Sequence, residues 1–247
     1  VDVQGSQGVR PGGANQILGL GQALTPYRAE KLWTYELGAK TQLLDRKVDL
    51  SLAVFQTDWK NMQVTGTPTT GAFFRFLSNA GAARIRGLEG EVNARISRSF
   101  TLSANANYTD AKLTEDQVNA NIRAPGRAGD RIPYVPHVAG SINAEYRVPV
   151  SDTATVAWIS NLAYQGSSYS EFPRSSPSNA RLPSYWLLNT RVNVDLDDSK
   201  WRFSVFVNNM FDVTGLNYLA ATDDSYAGPS GISSTPRTVG ISVGRTF

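Results

Sequence analysis

The sequence predicts an all-β fold, an antiparallel transmembrane β-barrel wall, and three observations carry that prediction. Apolar and polar residues alternate at every step through one segment after another. Val138, Gly140, Ile142, Ala144 and Tyr146 stand against Ala139, Ser141, Asn143, Glu145 and Arg147. A strand presents successive side chains to opposite faces, so here one face wants hydrocarbon and the other water. The connections between segments alternate between tight and long, as the short periplasmic turns and long extracellular loops of outer-membrane barrels do. Aromatic residues fall at both ends of the apolar faces, where headgroup girdles belong.

Strands are expected at about 30–44, 47–60, 83–97, 99–111, 136–148, 153–165, 183–196, 201–221 and 236–247, nine in all, with residues 1–29 as loop. Strand 30–44 carries Trp33 and Tyr35 toward lipid and Glu36 and Lys40 toward water. Strand 47–60 is less regular, because Ala53, Phe55 and Trp59 oppose Val48, Leu50, Leu52 and Val54. Either a bulge or a packed luminal contact accounts for that. Strand 83–97 sets Leu88, Gly90, Val92, Ala94 and Ile96 against Glu89, Glu91, Asn93 and Arg95. Strand 99–111 sets Phe100, Leu102, Ala104, Ala106 and Tyr108 against Thr101, Ser103, Asn105, Asn107 and Thr109. Strand 183–196 sets Trp186, Leu188, Val192, Val194 and Leu196 against Asn189, Arg191, Asn193 and Asp195, and strand 201–221 opens on Trp201, Phe203, Val205 and Val207. A midplane Arg in hydrocarbon costs about 2–4 kcal/mol, so the register of these strands is strongly specified.

Tight turns are expected at 45–47, 97–99, 149–152 and 197–200, and long connections near 61–82, 112–135, 166–182 and 222–235. Counted back from Phe247, every tight turn falls on the rim of the C-terminus. The girdle is expected to hold Phe100, Tyr146, Trp201 and Phe247 at the turn rim and Trp33, Tyr35, Tyr108, Tyr164 and Trp186 at the loop rim.

Composition narrows the alternatives. The chain has 247 residues, no Cys, one His and a formal charge of +3. No apolar run approaches the roughly 20 residues of a spanning helix, so a helical membrane protein is excluded. A mean hydropathy of −0.28 is compatible with a barrel, because inward residues offset outward ones. The mild charge gives no argument for a nucleic-acid partner. The absence of an initiating Met and of a signal segment, in a chain that must be exported, leads to the expectation of a longer protein with sequence upstream.

Five motifs then come into view. Residues 79–91 (NAGAARIRGLEGE) resemble the NAG…RGLE stretch of TonB-dependent receptors, and residues 33–40 (WTYELGAK) resemble their YELGxK strand. Residues 132–137 (IPYVPH), 207–212 (VNNMFD) and 235–240 (TPRTVG) resemble later motifs of that family, in family order. The resemblance covers about residues 30–247. It implies a barrel of about 22 strands closed by an N-terminal plug. This chain would supply the last nine strands, and the plug, with its contact to TonB, would not be present. It implies an outer-membrane receptor of a Gram-negative bacterium that imports a ferric siderophore or similar iron complex, energised through TonB. Its neighbours would be outer-membrane lipid and lipopolysaccharide. Arg245 departs from the alternating apolar positions expected before a terminal Phe, a departure tolerable near the interface at roughly 0–1 kcal/mol.

The candidate residues fall into two groups. In the loops, Phe73, Phe74, Arg75, Phe76, Arg84, Arg123, Arg127, Arg131, Tyr169, Phe172, Arg174 and Tyr226 combine cations with rings. Such a set suits an anionic chelate with flat aromatic groups, or equally lipopolysaccharide phosphates and loop acids. On the wall, Glu36, Lys40, Glu89, Glu91, Arg95, Glu145, Arg147 and Arg191 are expected to face the lumen and meet the plug. No cofactor, metal set or catalytic constellation is expected. A lone His137 reads as a rim residue, and no nucleophile elbow or phosphate cradle occurs. The transporter reading therefore stands against a passive porin or smaller barrel, which alternation alone does not distinguish, and against an outer-membrane enzyme.

Overall fold

The structure, a computed structural model, describes residues 1–16, 26–66, 76–79, 81–117, 125–172, 179–196, 198–220 and 230–246. Ten strands form one antiparallel sheet in which every strand pairs with its chain neighbour. They are β1 (Asp2–Arg10), β2 (Glu30–Leu43), β3 (Val48–Lys60), β4 (Ala82–Arg95), β5 (Phe100–Leu113), β6 (Val138–Ser151), β7 (Ala154–Gln165), β8 (Tyr185–Leu196), β9 (Trp201–Asn208) and β10 (Thr238–Arg245).

β1 corrects the expectation of loop through residue 29. Asp2 to Arg10 pair residue for residue with Gly38 to Glu30. The segment alternates weakly, with Gly5 and Gly8 in it, and glycine lowers strand propensity. The ladder supplied by β2 overrides that local preference. The expected strand 201–221 is also divided. β9 stops at Asn208, and Asn209 and Asp212 take φ of 49° and 54°, a left-handed conformation no strand continues through. Short two-stranded ladders extend the long connections beyond the wall: Gly13–Ala14 with Pro26–Tyr27, Gln63–Gly66 with Phe76–Asn79, Ser168–Tyr169 with Arg181–Leu182, and Leu216–Ala220 with Ser230–Ser233.

The register places the alternating faces as expected. Across β3 to β8, Leu52, Gly90, Ala106, Gly140, Tyr164 and Trp186 stand in one row. Large apolar side chains on this face remain open, with Ile142 46% and Leu88 49% exposed. Trp33, Tyr35, Tyr108, Tyr146, Trp186 and Trp201 stay between 37% and 53% exposed on the same face. Phe100 is half-buried beside Tyr146, and the Tyr164 and Trp186 rings meet at 4.4 Å. Phe247 lies outside the described residues. Trp158, a ring not expected at this level, lies about halfway up the same face. Its Nε1–H donates to Thr190 Oγ1 at 2.8 Å, and Ser160 Oγ sits 2.8 Å from the same oxygen. An indole N–H in hydrocarbon needs such an internal acceptor.

The irregular strand 47–60 has no bulge. β3 pairs continuously with β2 and with β4. Phe55 instead lies flat over Gly87, where a Cβ would stand 2.3 Å from Phe55 Cζ. Phe206 lies over Gly240 in the same way. Both are aromatic rings covering a neighbouring strand's glycine, a recurrent packing device in sheets. Trp59 joins Met62, Ala83, Leu113, Phe172, Val64 and Ile132 in an apolar cluster at the loop end of the polar face.

Arg245 has a physical solution. It pairs with Trp201 on the apolar face, and its guanidinium carbon lies 5.5 Å from the indole centroid. A cation over a ring at the interface keeps its charge at headgroup level while its stem covers apolar surface.

Candidate luminal wall and ligand-gathering rim

The polar face carries all eight expected luminal residues. Lys40, Ser51, Glu91, Asn105 and Ser141 form one cross-strand row, and Glu145, Ile159, Arg191 and Phe206 form another. Glu36 and Glu89 flank Phe55 and Ala53. Arg95 stands opposite Thr101, which in turn faces Glu145.

Charge is unevenly spread along this wall. Over β1 to β5, Asp2, Glu36, Asp49, Glu89 and Glu91 outnumber Lys40 and Arg95. A recess of about 340 Å³ opens there, lined by Asp2, Glu36, Lys40, Glu89, Glu91 and Asn105 among others. Over β6 to β9 the charges are mutually paired. Arg147 Nε donates to Glu145 Oε1 at 2.9 Å and Arg147 Nη1 to Asp195 at 3.3 Å, while Arg202 Nε donates to Asp195 at 2.5 Å. Arg147 spans β7 to reach Asp195 because Ala157, its β7 partner, is small and fully buried. Arg191 lies 5.8 Å from the centroid of the Phe206 ring. Asp195 and Arg202 are the members that the sequence reading did not single out. Their signal was present, since both are inward by parity across one tight turn, but ion pairs two strands apart become visible only with the register.

The loop rim is held by residues of the motifs. Buried Glu30 takes Arg10 Nε at 2.8 Å and Gln63 N–H at 2.6 Å, while the Gln63 amide donates to Pro11 O and Arg28 O, each at 3.0 Å. Asn79, in the NAG motif, accepts from Arg28 N–H at 2.8 Å and donates to Arg28 O and Asn61 O. Asn209, in the NNMFD motif, accepts from Val213 N–H and donates to Val213 O and Thr235 O, each at 2.9 Å. Its own N–H donates to Asn189 Oδ1 at 2.8 Å. His137 is structural. Its Nδ1 sits 3.0 Å from Thr109 O, and its ring stacks on Tyr108 at 5.7 Å.

Of the loop candidates, Arg131 and Tyr169 are brought together, with the guanidinium 5.7 Å from the ring centroid and Nη2 donating to Val135 O at 3.0 Å. Around them three loops converge. Tyr134 N–H donates to Tyr169 O, its hydroxyl donates to Leu219 O, both at 2.8 Å, and its ring stacks on Tyr218 at 5.3 Å. The Tyr185 hydroxyl donates to Asn217. Tyr134, Tyr185 and Tyr218 were not foreseen as rim residues. Arg127 is exposed, and its backbone N–H closes a turn onto Asp130. Three candidates are corrected. Phe76 and Phe172 are buried, and Arg84 is not in a loop but on the apolar-side face of β4, paired to Asp58 at 2.7 Å. Phe73, Phe74, Arg75, Arg123, Arg174 and Tyr226 lie outside the described residues. Among the described residues no acidic, His or Cys cluster has metal-ligand geometry.

This geometry can now be set beside known proteins. Residues 3–210 match the family model described as TonB dependent receptor-like, beta-barrel. The pesticin receptor of Yersinia pestis is 29% identical over 211 residues, spanning 84% of this chain and 28% of that receptor. The probable TonB-dependent siderophore receptor PiuA of Acinetobacter baumannii is 28% identical over 192 residues, spanning 74% of this chain and 23% of that protein. Among solved structures, the ferric yersiniabactin uptake receptor FyuA of Yersinia pestis superposes with a TM-score of 0.77 at 25% identity, covering 98% of this chain and 34% of that one. The chain thus spans about a quarter to a third of the length of these relatives. With a matched family model over most of its length, an apolar convex face and motif residues pinning the rim, the chain belongs to the TonB-dependent receptors, a family of transport receptors rather than enzymes, and forms β-barrel wall of the outer membrane of Gram-negative bacteria.

Proposed function

We propose that this wall is the C-terminal part of an outer-membrane receptor that imports a ferric siderophore or similar iron complex, energised through TonB by way of an N-terminal plug. The observation that carries the reading is the convergence of Arg131, Tyr169, Tyr134 and Tyr218 above a polar wall. Rings and a guanidinium held by backbone hydrogen bonds suit an anionic chelate with flat groups. The names of the relatives support the same cargo class. In a strain lacking the full-length gene, growth on defined ferric chelates under iron starvation should fail for at least one chelate. It should return with the wild-type gene but not with a Tyr134→Ala, Tyr218→Ala double variant. Full growth of the deletion strain on every chelate rejects the reading.

The acidic recess of β1 to β5 is the plug-facing part of the wall under this proposal. Its unbalanced carboxylates await cations, whereas the charges of β6 to β9 satisfy one another. Reversing Glu89 and Glu91 to Lys should loosen the plug and raise small-solute leakage severalfold. Leakage equal to wild type rejects this assignment while leaving the cargo reading untouched.

A further inference from the structure

On the convex face, directly above the apolar band, the register gathers an unusual set of charges. The top apolar row is Leu37, Val54, Leu88, Tyr108 and Val138. The next row toward the loops is Tyr35, Gln56, Arg86 and Asp110, and the one beyond is Trp33, Asp58, Arg84 and Lys112. Above these, Lys31 and Lys60 stand directly opposite each other. Five cations share this patch with two carboxylates. Asp58 is taken by Arg84 and Asp110 by Lys112. That leaves Lys31, Lys60 and Arg86 without a carboxylate partner among the described residues. Arg86 donates only to the neutral Gln56 at 2.8 Å. Asp116, further up, is engaged with Ala128 N–H.

Like charges directly opposed across a ladder repel. An exposed pair of lysines at headgroup height, beside an Arg that has only an amide to bond, is suited to an anion delivered from the membrane side. Below it the wall is hollowed. Gly90, Ala104, Ala106 and Gly140, bounded by Val92, Ile142, Leu162 and Tyr164, leave an apolar groove of about 480 Å³. The groove begins one row beneath Leu88 and Tyr108, so cationic patch and groove are continuous along one lipid-facing strip.

We infer that this strip binds one lipopolysaccharide molecule of the outer leaflet, with a lipid A phosphate held by Lys31, Lys60 and Arg86 and an acyl chain lying in the groove over Ala104 and Ala106. Phosphate is matched to this set because two compact ammonium groups and one planar guanidinium supply donors to several phosphate oxygens at once. A zwitterionic phospholipid brings its own cation and offers no net charge to a patch of this sign. The patch lies on the outer wall, away from the rim cluster, so binding here is separate from cargo recognition.

The test uses the full-length receptor, delipidated in detergent, with bisphosphorylated lipid A, its fully dephosphorylated form and inorganic phosphate as probes, read by native mass spectrometry. Wild type should hold bisphosphorylated lipid A at least about tenfold more tightly than the dephosphorylated form. A Lys31→Glu, Lys60→Glu, Arg86→Glu variant should lose that preference. Where reversal impairs folding, the neutral Lys31→Gln, Lys60→Gln pair carries the same comparison, with heat-modifiable gel migration reporting the folded barrel. Ala106→Leu should weaken lipid A severalfold by filling the groove. Equal affinity for the two lipids, an unchanged preference in the variants, or full displacement of lipid A by millimolar phosphate each overturns the assignment.

Discussion

Ile142→Arg should destabilise the wall by about 2–4 kcal/mol, whereas Asn143→Arg, one residue along the same strand, should change it by about 1 kcal/mol or less. Ile142 is the central apolar residue of β6, in register with Ala104 on β5 and Leu162 on β7, and 46% of it is open. In a protein surrounded by water, a charge at so exposed a position would fall within about 0.5 kcal/mol. In a bilayer the same surface is bathed in hydrocarbon, and the guanidinium must be desolvated or drag water inward. Asn143 faces the hydrated side, where the substitution loses only its exposed hydrogen bond from Asn161, at 2.7 Å. Denaturant unfolding from phospholipid vesicles, followed by tryptophan fluorescence, measures both. Equal effects from the two variants would mean that the convex face does not meet lipid.

Asn209→Leu should cost about 3 kcal/mol and open the segment from 210 to 237 to protease. The side chain is 4% exposed and satisfies Val213 N–H, Val213 O and Thr235 O. Removing it leaves buried backbone groups unpaired at about 1–3 kcal/mol apiece, partly relieved by water. It also places a branched chain at φ 49°, a conformation that asparagine tolerates and leucine resists. Asn209→Gly separates the two effects, because it relieves the backbone but not the hydrogen bonds. It should therefore fall between wild type and leucine. A leucine variant as stable and protease-resistant as wild type would show that the clamp is not what holds this bend.

How much of this was legible in the residues depends on how local each signal is. The alternation in Val138 to Arg147 and the tight turns are properties of neighbours, and they located nine strands of the wall and the facing of all eight luminal charges. β1 was not legible, because Gly5 and Gly8 blank its pattern and only the ladder to β2 reveals it. The stop at Asn209 was written in a residue type that favours left-handed backbone, yet it was read as a strand passing through. The rim is the least legible part. The Arg10–Glu30–Gln63 node and the Tyr134–Tyr218 stack join residues 53 and 84 positions apart, and no periodicity encodes such meetings. Phe76 and Phe172 show the converse error, since an aromatic in a polar stretch reads as displayed until the cluster that buries it is seen.

The strictly sequential order of the ten strands bears on how such walls originate and assemble. Every interstrand contact is made between adjoining hairpins, so loop-closure entropy is met in small instalments and no distant segment must be found before the next can dock. A wall of this kind can be zipped up one hairpin at a time. It can also be lengthened or shortened by whole hairpins through gene duplication or loss without inverting inside and outside, so its circumference evolves in steps of two.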